Sequence, residues 1–186
     1  MKRAKLALLV TACLPLALAA QNTADQHMDT GTSKMAKSAD MNFAMKAAQG
    51  GMAEVQMGQL AAQKATNPDV KSFGQLMVDD HTKANDDLKS VAQGENITLP
   101  TSLNAKDQAE YTKLQNLSGA AFDREYVRDM VKDHTEDVKE FQKEANNGGD
   151  PQIKSFAQRT LPVLQSHLSK IKTIHSNMAG GGSSKM

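Results

Sequence analysis

Tryptophan is absent from this 186-residue chain, aromatic residues make up 4% of it, and cysteine occurs once, at Cys13. A single cysteine excludes an intrachain disulfide, and if Cys13 is removed with a leader the remainder has no thiolate chemistry either. No polybasic tract or basic patch is present, which argues against nucleic acid or an anionic lipid surface as a partner. The Leu6 to Leu18 segment is apolar over about 13 to 15 residues, short of the roughly 20 that a spanning helix requires. No Ser-His-Asp arrangement, phosphate loop or nucleotide fingerprint occurs, so the familiar routes to hydrolysis or phosphoryl transfer have no residues to carry them. What is abundant is alanine, lysine, glutamine and aspartate, a helical composition.

The N-terminus reads as a secretory signal over residues 1–19. Lys2, Arg3 and Lys5 form a basic stretch, the apolar segment follows, and Ala17-Leu18-Ala19 supplies a small-x-small cleavage site. Loss of those three cations turns the formal charge from +1 to −2. Export to the periplasm follows as an expectation. Val10-Thr11-Ala12-Cys13 also resembles a lipobox, which would make the chain lipid-anchored through Cys13 instead, although Leu14 to Leu18 is greasy where a polar tether would be expected. Residues 20–39 are small and polar with no apolar period and read as a flexible tether, and residues 180–186 as a disordered tail.

Residues 40–179 are expected to form one all-α domain of four long helices. The first, from about Asp40 to Thr66, places Phe43, Ala47, Gly51, Glu54, Gly58, Ala61 and Ala65 on one face, a stripe of small residues that invites close approach by a neighbour. Asn67-Pro68 caps the second, with Val70, Phe73, Met77, His81, Ala84, Leu88 and Val91 on its face. A short helix between Asn104 and Leu117 lies in the connection. The third presents Phe122, Tyr126, Met130, His134, Val138, Phe141 and Ala145. The fourth opens on Asp150-Pro151 and presents Ile153, Phe156, Thr160, Val163, His167, Ile171, Ile174 and Met178, with Pro162 predicted to kink it. About 24 residues separate the second and third helices, enough to run back along a bundle, so a ferritin-like crossover is preferred to a simple up-down-up-down order.

Two echoes tie the helices to one plan. Met77-Val78-Asp79-Asp80-His81-Thr82 nearly repeats as Met130-Val131-Lys132-Asp133-His134-Thr135, and Pro68 to Gln75 as Pro151 to Gln158. His81, His134, His167 and Glu54 each fall about 13 to 16 residues into their helices, roughly 20 to 24 Å from an end, so they share one central layer whichever way the helices run. Asp80 and Asp133 stand beside two of the histidines and are placed to orient their rings. Two readings stay open. The layer is a hydrogen-bonded register device, as in a structural or interaction module with an envelope protein as partner, or it binds a transition metal such as zinc, copper or iron. Protonated imidazoles held against Glu54 would make stability fall as pH rises; buried neutral ones would make it fall below about pH 6. Methionines at positions 28, 35, 41, 45, 52 and 57, with His27 beside the first, are compatible with copper, but core filling by a good helix former is the plainer reading. His175 is expected at the surface.

The signal sequence, Phe73-x-x-x-Met77-Val78-x-Asp80-His81, Gly119-x-x-Phe122-Asp123-x-x-Tyr126 with Met130-Val131-x-x-His134, and Leu161-Pro162-x-x-x-x-His167-Leu168 resemble the exported bacterial family known as domain of unknown function 4142. The resemblance covers about Met41 to Met178 and implies a ferritin-like bundle and export, with no activity attached. Di-iron carboxylate bundles draw on four carboxylates, including two Glu-x-x-His motifs. Here Val78 and Leu164 stand three residues before His81 and His167, and only Glu54 remains. A ferritin-like redox enzyme is therefore the weakest of the three readings.

Overall fold

A computed structural model describes residues 29–180, with side chains from residue 37 onward. The expected signal segment, Cys13, His27, Met28 and residues 181–186 lie outside the described residues. All regular elements among these residues are helices: α1 (Asp29–Lys64), α2 (Pro68–Gly94), α3 (Ala105–Gln115), α4 (Gly119–Asn147) and α5 (Pro151–Gly180).

The helix starts follow local chemistry. Asn67 Oδ1 accepts from the Asp69 and Val70 amides at 2.8 and 3.4 Å, and Pro68 occupies the first helical position, where no amide is needed. Asp150 does the same for Gln152 and Ile153 at 2.9 and 3.1 Å. Contrary to the sequence reading, α1 begins at Asp29, so residues 29–39 continue the helix instead of forming a tether. Adding a residue to an existing helix fixes two dihedrals for one hydrogen bond, whereas starting one is costly, so a weak polar segment can extend a strong helix. α5 runs unbroken through Pro162.

Two buried aspartates reveal the helix order. Asp123, near the start of α4 and 3% exposed, accepts from the Thr66 and Asn67 amides at 3.0 and 2.9 Å and from the Thr66 hydroxyl, closing the α1–α2 turn. Asp40 in α1, 2% exposed, accepts from the Gly149 and Asp150 amides at 3.2 and 2.7 Å, closing the α4–α5 turn. The start of α4 thus lies at the end of α1, and the order is up-down-down-up, with α3 carrying the long connection back along α1 and α4. This is the crossover expected of a ferritin-like bundle.

The stripe of small residues on α1 meets α2 as expected. A Cβ on Gly58 would stand 2.8 Å from the Gly74 carbonyl oxygen, so the two backbones are in direct contact. Two apolar halves flank the polar layer. Met57, Phe73, Tyr126 and Ile171 belong to one, and Phe43, Leu88, Phe141 and Phe156 to the other. One face assignment fails: Val163 is 39% exposed, and Leu161 and Leu164 take its place in the core. Ile153, Ala157, Leu164, His167, Ile171 and Ile174 follow the helical period closely, which turns Val163 outward.

Glu144, also largely buried, stands beside the α4–α5 turn. Burial first, and then the neighbouring Asp40 and Asp150 carboxylates, push its carboxyl up to about 7 from an ordinary 4.5. The folded chain therefore keeps a proton that the unfolded chain releases. This group's stability contribution is complete below about pH 4.5 and is lost as pH rises through about 7. Glu144→Gln is expected to flatten the decline in thermal stability between about pH 5 and 8, and an equal decline in the variant would assign it elsewhere.

Candidate metal centre

Helical spacing brings Glu54, His81, His134 and His167 into one layer from four different helices, at 3%, 5%, 0% and 2% exposure. The ring centroids of the three histidines lie 5.4 to 5.7 Å apart. Phe73 packs edge-on beside His134 and His167, keeping that side of the layer apolar.

Each ring commits one nitrogen to an orienting acceptor. His81 Nδ1 donates to Glu54 Oε2 at 2.9 Å. His134 Nδ1 donates to the Met130 carbonyl at 3.1 Å, with Glu54 Oε1 at 3.3 Å. His167 Nε2 donates to Asp80 Oδ2 at 2.8 Å. In a neutral ring that fixes the tautomer and leaves a lone pair on the other nitrogen. Those remaining nitrogens, His81 Nε2, His134 Nε2 and His167 Nδ1, are buried and have no hydrogen-bond partner. One nitrogen from each ring falls within 4.8 Å of the other two. Buried polar atoms are nearly always paired, and each orphan costs about 1–3 kcal/mol, so three orphans together require an explanation.

The layer's protonation is split. Burial alone would raise the Glu54 carboxyl, but His81 and His134 outweigh it and pull it down to about 2, so it is an anion. Burial depresses the His81 imidazole, and the adjacent Glu54 charge more than reverses this, leaving it above its ordinary value. Burial pushes His134 down to about 4 despite Glu54, and lowers His167 despite the Asp80 hydrogen bond. Neither pH pattern expected from the sequence applies to the layer as a whole.

Glu54 reaches the layer, 2.9 Å from His81 Nδ1 and 3.3 Å from His134 Nδ1, while the three residues whose ligand atoms lie within 4.8 Å of one another are the histidines. Asp80 orients a ring, though that of His167 across the bundle and not its neighbour His81. Asp133 does not orient a ring; it faces Lys106 at 3.7 Å, and the Met130 carbonyl does that work for His134. The Met130 contact was missed because it is made by backbone, although the i−4 spacing to His134 allows it. His175 is exposed, Met57 is a core residue at 1% exposure, and Met41, Met45 and Met52 are partly buried.

A family model described as domain of unknown function (DUF4142) matches residues 24–174. No curated protein matches the chain in sequence. A DUF305 fragment from Deinococcus radiodurans superposes with a TM-score of 0.66 at 10% identity, covering 75% of this chain and 96% of that one. A putative secreted DUF305 protein from Streptomyces coelicolor gives 0.65 at 13%, over 76% and 92%. CopM in its Cu(II)-bound form gives 0.63 at 17%, over 74% and 96%. At these identities the likeness establishes a shared helical fold.

Proposed function

This chain belongs to the domain of unknown function DUF4142 family, and we propose that it binds one transition-metal ion through His81, His134 and His167. The observation that carries the reading is three buried histidines, each offering a ring nitrogen within 4.8 Å of the other two and each with one nitrogen held by an acceptor and the other without a partner. Imidazole donors suit copper, zinc or iron. Support also comes from CopM, whose solved forms hold Cu(I), Cu(II) or Ag. Glu54 and Asp80 would act behind the rings, fixing tautomers and strengthening the ligands.

Three nitrogens on one tetrahedral ion at about 2.0–2.1 Å stand about 3.4 Å apart, so loading requires the rings to close in from a spread of up to 4.8 Å. A register device alone would pair its polar atoms, and this layer leaves three ring nitrogens and Glu54 Oε1 without a hydrogen-bond partner. Export of the chain is part of the proposal, supported by the basic, apolar and small-residue order of its N-terminus and by the Streptomyces coelicolor neighbour, itself described as a putative secreted protein.

The test is titration of metal-free protein with Zn²⁺ and Cu²⁺ by calorimetry and thermal unfolding. Saturation at one ion per chain is expected, with stabilisation of about 2.7 kcal/mol at a hundredfold excess over Kd. Absence of saturable binding and of any thermal shift would overturn the assignment.

A further inference from the structure

An acidic cavity of about 300 Å³ opens between α1, α3 and α4. Its outer wall carries Lys46, Lys106 and Glu140, all exposed on their side chains. Asp133, Glu136 and Asp137 line it, and Glu54 forms its inner end. A second void of about 20 Å³ shares Gly50, Glu54 and Asp137 with the first and reaches His81. The two voids adjoin at these three residues, one opening beside Lys46 and Lys106 and the other lined by His81.

A cluster of carboxylates alone would say little, but Glu54 adds an independent mark. It is 97% buried by the complement of its 3% exposure, and its Oε1 has no hydrogen-bond partner. With the Glu54 anion at its inner end and Glu136 and Glu140 toward solvent, the protein-walled cavity favours cations over anions. Lys106 sits 3.8, 3.5 and 3.7 Å from Asp107, Glu110 and Asp133, and Lys46 sits 3.1 Å from Glu140. The Lys46–Glu140 pair is exposed at both ends and Lys106 is exposed at its own, so the lysine ends can swing away as a cation arrives. Burial first, and then Glu54 and the other nearby carboxylates, hold the Asp137 carboxyl well above the usual range, so it keeps a proton that an arriving cation displaces.

We propose that this acidic cavity is the passage through which a metal cation enters and leaves the histidine layer, an inference that rests on reading that layer as a metal centre. Gly50 offers a way to close it. A Cβ there would meet no atom within 4 Å, so a side chain can start at position 50 without strain, and Gly50→Leu places bulk at a residue the two voids share. Gly94 is equally open and lines neither void, which makes Gly94→Leu the control.

The experiment mixes Co²⁺ with metal-free protein in a stopped-flow instrument, follows visible absorption, and then measures release into a chelator. Gly50→Leu is expected to slow uptake and release several-fold and by the same ratio, leaving affinity unchanged, while Gly94→Leu matches wild type. The double variant Glu136→Gln/Glu140→Gln, which removes two lining carboxylates at the solvent side, is expected to lose uptake rate on the order of tenfold at low salt and to lose salt sensitivity. Wild-type rates in the plugged and neutralised proteins would overturn the passage while leaving the centre intact. Failure of the wild type to take up Co²⁺ at all would overturn both.

Discussion

Glu54→Ala is expected to lower unfolding free energy by about 3–5 kcal/mol and to weaken metal affinity by about 10–100-fold. The stability loss arises because Glu54 is a buried anion paired with His81 at 2.9 Å and placed 3.3 Å from His134. Removing it strands the buried His81 Nδ1 proton without an acceptor, the costly half of a buried pair. The affinity loss has a different origin. Glu54 does not converge with the three ring nitrogens; it holds the His81 ring from behind, so its removal frees the ring to turn and to change tautomer. Glu54→Gln, which keeps an acceptor oxygen at nearly the same place, should retain much of the affinity. Denaturant unfolding and metal titration of the two variants separate the effects. A Glu54→Gln protein with no measurable binding would make the carboxylate a direct ligand, as the sequence first suggested.

Gly74→Ala is expected to cost about 3 kcal/mol or more, against the usual helical preference for alanine. In an open helical position the replacement of glycine by alanine gains about 0.5–1 kcal/mol. At Gly74 the added Cβ would lie 2.6 Å from the Ala61 Cβ, and 2.8 Å from both the Ala62 amide nitrogen and the Gly58 carbonyl oxygen. Two of these three atoms are backbone, so relief requires α1 and α2 to move apart, and overpacking of this kind commonly costs 1–3 kcal/mol or more. Gly50→Ala is the internal control, because its Cβ meets nothing within 4 Å and should gain stability. Urea midpoints of the two proteins are expected to move in opposite directions. A Gly74→Ala midpoint at or above that of wild type would mean that the α1–α2 contact is looser than described here.

Much of this architecture was legible because helical period is a strong signal when each face carries seven or more consistent positions. The four residues of the central layer were placed by counting along each helix, and the stripe at Gly51, Gly58 and Ala61 announced the close α1–α2 contact. The failures are physical too. Val163 satisfied the spacing within scatter, but Leu161 and Leu164 bury more apolar surface and set the rotation of α5. The Asp-His repeat suggested equivalent partners for Asp80 and Asp133, yet Asp80 reaches His167 on another helix and Asp133 turns to Lys106. Contacts between helices depend on rotation and offset, which a sequence repeat does not encode. Residues 29–39 lack an apolar face, so periodicity had no means of reporting the helix they continue.

The central claim is that three histidines hold an ion, and metal content tests it most directly. Protein purified without chelator should carry close to one transition-metal ion per chain by elemental mass spectrometry, and the His81→Ala protein should carry almost none while remaining helical. A metal-free wild type that also stays metal-free after incubation with zinc, copper or iron, beside a His81→Ala variant that differs only in stability, would contradict the claim and leave the layer a device for fixing helix register.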